Sequence, residues 1–525
     1  MSRYDVRFVS RATAPDDQYA YVVRRELSGG VNSRVYEQEI SENQCVKMQN
    51  VSLDTPGKTS KRPGCVLIGD DNGTASIVAL HNYEIQGAAD QLLCYEDNNL
   101  NKSVAEGNWS ELKGDFTAAQ TDVGMINAKM SGISPDDIVV VQNGTDNAFA
   151  FKSDGTPLDL LDGATSPPIT TVMEWYGNRI WCLKNDLLYW SDAYDSDYST
   201  AFNRTTNSFR IPVGEERGIV ATRDTGMVIM GKQEIWGLAP KYVPDADDQP
   251  QPLVTNHGVV SKKGWCQAGD DIYYFAQDGF RSLKRTVQDK LQGVVSYPIS
   301  YQLKTETESI NWSYIENLQM EYFDNKVFIV VPTGATTTTL WIYSPAFNSI
   351  DTASGLAIRS MSKYKVAGEE RLYIGKIGDG VVHRFWTGYT DYGTTGSNGT
   401  AIDYEIITRA EDLGSPLVNK SGGEVEVVFD AAGDYDVEVY ASFDDSSYRL
   451  LGTVDLDTEL VTFPTTFPVT FHDKTFATGK FHLDKYGEWT KIQLKISHNA
   501  VNSKDISLLR YTITSYLKEY EGEKK

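Results

Sequence analysis

Long apolar runs, helical periodicity and paired metal ligands are all missing from this chain of 525 residues. No span of about twenty consecutive apolar residues occurs, so the sequence offers no transmembrane helix. The first residues, Met1-Ser2-Arg3-Tyr4-Asp5, carry nothing like the apolar core of a secretion signal, and the expectation is a soluble chain made in a cytoplasm. Five cysteines (Cys45, Cys65, Cys94, Cys182, Cys266) show no Cys-x-x-Cys spacing. Their odd number argues against a disulfide framework, though one bridge stays open. Cys182 and Cys266 sit in apolar strand-like runs, as buried thiols of a reducing compartment do. Six histidines (His81, His257, His383, His472, His482, His498) form no His-x-x-x-His pair and no Cys/His cluster. Zinc spacing is therefore absent, and only a site assembled through space would use them. No segment longer than about ten residues shows a confident helical period.

Positive charge is also short. Forty-nine Lys and Arg face 72 Asp and Glu, a net charge of −23. A nucleic-acid reader neutralises phosphates and should be basic, so ordinary DNA or RNA binding is disfavoured. An acidic surface serves solubility, and it would equally keep DNA from sticking to a passage wall.

Catalytic motifs are scarce. Pro56-Gly57-Lys58-Thr59-Ser60 holds the Gly-Lys-Thr of a phosphate loop, but Ser52 stands where the first glycine is needed and no helix follows. Asp192, Asp195 and Asp197 lie within six residues without the glycine of a calcium loop. A solvated acidic turn is the plain reading, and a structural cation site the alternative. Ser442-Phe443-Asp444-Asp445-Ser446-Ser447-Tyr448 only echoes the start of a sialidase Asp box, and Gly-x-Ser-x-Gly is missing. A propeller glycosidase would need two convergent acids, which sequence cannot display. No catalytic, cofactor-binding or metal-binding residue is assigned, no cofactor is expected, and the chain is read as a non-enzyme. Two basic patches, Lys58/Lys61/Arg62 and Lys262/Lys263/Arg281/Lys284/Arg285, read as solvated faces, with contact to an acidic partner or DNA backbone as the alternative.

What is abundant is aromatic residues (30 Tyr, 19 Phe, 10 Trp) and 43 Gly, the mixture of a β-protein with many turns. Seven stretches repeat one pattern: a short β-branched or aromatic run, a Gly/Asp/Asn turn, and a second such run. Trp175–Trp181 leads into Leu187–Trp190, and Gly226–Gly231 into Glu234–Gly237. Asp271–Phe275 leads into Gly279–Leu283, and Phe323–Ile329 into Leu340–Tyr343. Looser copies begin near Asp90, Asp137 and Arg371. The spacing of roughly 40–55 residues is that of a four-stranded propeller blade. The chain is thus expected to be all-β: an irregular β-propeller of about six to eight blades over residues 66–400. One blade is open to closure by a distant part of the chain.

Residues 1–65 do not follow the blade pattern and read as an extended segment pairing with a C-terminal platform. Residues 401–516 alternate strictly, as in Ile402–Thr408, Val425–Phe429, Tyr435–Tyr440 and Trp489–Ile496, and suggest a β-sandwich-like platform. Pro244–Pro252 reads as a projecting polar loop, and residues 517–525 as a frayed tail.

Three stretches give the chain a resemblance to the tail-nozzle (packaged-DNA stabilisation, head-completion) proteins of short-tailed bacteriophages. The first is Gly29-Gly30-Val31-Asn32-Ser33-Arg34, Asn50 and Arg62-Pro63-Gly64. The second runs from Trp175 to Leu238 through Leu188–Asp192, Phe209–Gly214, Ala221-Thr222-Arg223 and Met227–Trp236. The third is Thr408-Arg409, Lys420, Ala441–Tyr448, Ile492–Ser497 and Tyr511-Thr512-Ile513. It is a likeness of style and order without catalytic residues. It implies a structural virion protein of the tail, synthesised in the host bacterial cytoplasm. Six copies would form a cyclic ring, a homohexamer, below the portal and adaptor protein. The ring would retain the packaged genome and conduct it during ejection, with weak, non-specific DNA contact in its lumen. Tail fibres or spikes are further partners it implies, and the two non-blade ends would join to meet the adaptor. A carbohydrate-binding or receptor-recognition propeller is the alternative.

Overall fold

The computed structural model describes residues 9–10, 18–70, 73, 75–222, 226–239, 250–393, 399–430, 433, 435–456, 476–502 and 504–518. Most of the expected polar loop Pro244–Pro252, the tail beyond residue 518 and the first five residues lie outside these.

Each repeat seen in the sequence becomes an antiparallel hairpin within one blade. The clearest hairpin joins Met173–Tyr176 to Arg179–Lys184, with Tyr176 opposite Arg179. Its two loop residues, Gly177 and Asn178, both have positive φ, as a two-residue turn matching strand twist requires. Asn185-Asp186 and Asp324-Asn325 make the same turn. The Asp/Asn/Gly punctuation of the sequence is therefore turn chemistry.

Six separate sheets surround one axis. Blade 1 runs outward from Ile77–Tyr83 to Ser110–Lys113, blade 2 from Gly124–Lys129 to Pro157–Asp159, and blade 3 from Met173–Tyr176 to Ser208–Arg210. Blade 4 runs from Glu216–Thr222 to Gln251–Thr255, and blade 5 from Trp265–Ala268 to Gly279–Ser282. Blade 7 begins at Ile358–Val366 and is completed by Cys65–Leu67 from the far end of the chain, which pairs with Val382–Phe385. Closure by a distant strand, open in the sequence, is thus realised, and it carries the N-terminal segment across the expected boundary at residue 65.

The position between blades 5 and 7, blade 6, is filled by Gln319–Phe323, Lys326–Pro332, Thr338–Ser344 and Ser349–Ala353. These strands are not a separate sheet. They continue through Cys45–Gln49 into Tyr404–Thr408, Ile492–His498, Asp436–Phe443 and Arg449–Asp455, nine strands in all. A second sheet, with Gln18–Arg24, Ser507–Leu517, Lys420–Asp430 and Phe476–His482 at its centre, packs on the C-terminal half of the first. One apolar core runs through the joint, from Phe275 and Trp341 through Met48 to Ile406, Val427 and Ile513.

Blade 5 has three strands, and in place of a fourth the chain forms a helix, Leu283–Gln292. Leu283, assigned to a strand by the repeat, is its first residue. The Ser282 hydroxyl accepts from the Arg285 N–H at one end, and Gly293 closes the other with positive φ. Leu283, Val287 and Leu291 give a period of four, but ten residues are too few for that signal to stand out. Among the described residues, no helix is long and apolar enough to cross a membrane.

Candidate functional site

Two places concentrate buried charge, and the first is the joint between propeller and sandwich. Asn50, with positive φ, turns the chain out of Cys45–Gln49. Its side-chain oxygen accepts from Arg62 Nε at 2.8 Å and from the Ser354 amide at 3.1 Å, while its Nδ2 donates to the Asp403 carbonyl at 2.7 Å. Arg62 is fully buried and forks onto Asp391 at 2.9 and 2.6 Å. Gly64 follows because a Cβ there would lie 1.9 Å from the Thr390 carbonyl oxygen. Gly30 meets the next strand of the joint, where a Cβ would lie 2.8 Å from the Ile350 oxygen. Arg409 donates to the Ile40 carbonyl at 2.7 Å. Lys420, buried, spends its ammonium on the carbonyls of Ser415, Val418 and Thr490 at 2.6–2.9 Å, and burial pushes its pKa down to about 8. Gly30, Asn50, Arg62 and Gly64 thus hold this joint together, while Arg409 and Lys420 fasten loops on its sandwich side.

The second place is the axial channel. A cavity of about 210 Å³ lies where the inner strands of blades 1 to 6 converge. Its wall is tight between blades 4 and 5, where a Cβ on Gly218 would stand 2.3 Å from Trp265 Nε1. Lys262 Nζ lies 3.3 Å from Asp122 and donates to the Thr171 hydroxyl at 2.8 Å, spanning blades 5, 2 and 3. Lys263 Nζ donates to the Val78 carbonyl of blade 1 at 3.1 Å. Arg217 of blade 4 pairs with Glu316 at 2.7 Å and Glu215 at 2.9 Å. Burial pushes His81 down to about 4 and Glu174 up to about 8, so both are neutral at pH 7.

The sequence candidates disperse. Lys58 pairs with Asp430, and Gly57 has open space around it, so no phosphate loop forms. Asp195 accepts from the Asp197 amide and Asp197 from the Ser199 amide, which makes them turn caps. Asp444 likewise accepts from the amides of Thr490 and Lys491. His383 is buried in blade 7 and His498 in the sandwich, His482 is exposed, and His472 lies outside the described residues. Among the described residues no group of three His, Cys, Asp or Glu is placed to hold a metal. All five cysteines are buried, none cross-linked to another.

The two basic patches are solvated only in part: Lys284 and Arg285 are exposed as expected and Lys58 partly so, while the remaining members turn inward. Lys61 and Arg62 are buried, Lys61 donating to Asn502 at 2.8 Å. Arg281 is buried on Asp278, Lys262 and Lys263 enter the channel, and Lys284 and Arg285 begin the helix after blade 5. Local density of basic residues says nothing about which side of a strand or loop each one takes.

Sequence reasoning missed the channel because Asp122, Thr171, Arg217 and Lys263 come from different blades and share no motif. It also missed an aromatic surface after blade 5. Tyr297, Tyr301, Trp312 and Tyr314 are all exposed there, the two tyrosines of the first pair 5.1 Å apart and Arg34 stacked 3.9 Å over Tyr301. The usable signal was aromatic density outside any blade repeat.

No protein-family model matches the chain, and no curated protein sequence does. Solved structures give distant likenesses. The N-terminal part of BBS1 bound to ARL6 aligns at 10% identity over 62% of this chain and 97% of its own, with a TM-score of 0.36. The AfRom2 CNH domain aligns at 10% over 61% and 98%, with 0.36. A family 43 arabinoxylan arabinofuranohydrolase from Bacillus subtilis aligns at 8% over 85% and 96%, with 0.24. Likeness at this level carries no functional argument, and the fold assignment rests on the sheet topology of this chain.

Proposed function

We propose that the chain is a structural subunit of a short-tailed phage particle: a tail-nozzle protein that forms a cyclic ring below portal and adaptor, retains the packaged genome and conducts it at ejection. One observation carries the reading. Four residues on which the sequence resemblance rests, Gly30, Asn50, Arg62 and Gly64, are spent on an internal joint. A nine-stranded sheet crossing from blade to sandwich makes that joint stiff, as a ring subunit under genome pressure needs. Heterologous contacts around a ring suit such a wedge, and the net charge of −23 discourages DNA from adhering to its wall. The reading needs no catalytic step.

The test is the mass of the purified protein by light scattering, alone and with a portal–adaptor ring, with negative-stain imaging of both. A cyclic ring at the tail tip supports the proposal. A monomer that never joins a particle overturns it.

The aromatic surface favours a second reading, a carbohydrate-binding propeller, since sugars stack on exposed Tyr and Trp rings. Glycan-array binding by the isolated protein, lost in a Tyr301→Ala/Trp312→Ala variant, would support it.

A further inference from the structure

We propose that the axial channel binds one small tetrahedral oxyanion, of the phosphate or sulfate class, at its cluster of Lys262, Lys263 and Arg359. The charge there is opposite to that of the chain as a whole. Asp122 lies within electrostatic reach of three cations from blades 5 and 7, and it is already shared by Lys262 and the Thr171 hydroxyl. Arg359 reaches over from blade 7 to donate to the Thr121 carbonyl next to that carboxylate. The other acidic group lining the cavity, Glu174, is held neutral by burial and does not offset them.

Donors are left over as well. Lys263 has three N–H donors and bonds only the Val78 carbonyl among the described residues. Arg217 lines the same cavity, is 3% exposed, and has its Nε buried without a partner among the described residues. Its terminal nitrogens are matched by Glu215 and Glu316, so it adds a donor rather than net charge. A tetrahedral oxyanion has four acceptor oxygens to meet such donors, and charge-assisted bonds strengthen in an enclosed site. Lys263 reports the same imbalance. Burial, then Arg359 and Lys262, push its pKa down to about 8, with Asp122 opposing.

A role confined to cross-linking the blades would leave no donors unused and no requirement for a ligand. The two accounts separate in a titration of the full-length protein with inorganic phosphate, in low-salt, phosphate-free buffer at pH 7, followed by calorimetry. We expect one saturable site per chain, with sulfate competing. Lys263→Met should weaken phosphate at least about tenfold, the loss of one charge-assisted bond. Asp122→Asn should tighten it, because it removes the negative charge that Lys262 and the Thr171 hydroxyl share. Lys480→Met, on an exposed edge of the sandwich, should change nothing. Opposite signs from Lys263 and Asp122 are the decisive result, and thermal melts in phosphate-free buffer identify a variant that has not folded. If Lys263→Met fails to fold, Arg359→Gln takes its place in the comparison. No saturable heat up to about 10 mM phosphate overturns the proposal. So do affinities that the variants leave unchanged, and so does equal binding of acetate, which has two oxygens and one charge.

Discussion

Single residues in this protein hold charge where water does not reach, and two of them make sharp predictions. Arg62 and Asp391 are a buried, forked pair, so removing one partner strands the other. Arg62→Met should cost about 3–5 kcal/mol in chemical denaturation. Arg62→Met/Asp391→Leu should recover part of that loss, and a double variant no better than the single one would refute the pairing argument. Asp351, 1% exposed, has neither carboxylate oxygen hydrogen-bonded among the described residues. Burial raises its pKa from 3.8 to about 8, Lys326 opposing and Asp54 adding to it. The folded state therefore keeps a proton that the unfolded chain releases near pH 4. Its contribution to stability is present below that pH and is lost as pH rises to about 8, by at most about 1.4 kcal/mol per pH unit. Asp351→Asn cannot titrate, so its melting temperature should climb relative to the parent between pH 4 and 8. A constant difference would show that Asp351 ionises normally in the fold. None of these roles was visible in the sequence, where Arg62 looked like part of a surface patch and Asp351 like one acid among 72.

At the scale of elements, the blade hairpins were legible because their signal is local. Two residues of positive φ between two apolar runs, as at Gly177-Asn178, write a turn directly into the sequence. The strand that closes blade 7 was not legible in detail, since Cys65–Leu67 and Val382–Phe385 are more than 300 residues apart and only space pairs them. The helix after blade 5 escaped because a fourth strand was expected and ten residues carry little period. The closing strand predicts a sensitive glycine. Gly64→Ala would press a methyl group onto the Thr390 oxygen 1.9 Å away, so strand and blade must separate. Faster hydrogen exchange at Cys65–Leu67 and Val382–Phe385, with blades 2 and 3 unchanged, is the expected outcome. Uniform protection in the variant would mean that the joint yields elsewhere.

For the whole molecule, the shared sheet and shared core argue against two independent domains. Phe275 and Trp341 of the propeller belong to the same apolar cluster as Val427 and Ile513 of the sandwich. Scanning calorimetry should show one transition for both, and two resolved peaks would show that the joint uncouples on heating. Truncation at residue 401 is correspondingly a poor probe of docking, since it would strip four strands from the sheet that blade 6 begins and leave Cys45–Gln49 without its partner Tyr404–Thr408.

Two strands far apart in the sequence also lie side by side, Tyr19 opposite Tyr516. During synthesis the first of these strands leaves the ribosome with its partner still 497 residues away. At about 5–20 residues per second it waits about 25–100 s before that partner exists. Through that interval Ala20 and Val22, buried in the finished protein, have no sheet to enter. An early strand is therefore committed late, and a cell making the protein has its open edge to keep from other chains until Ser507–Leu517 has been made.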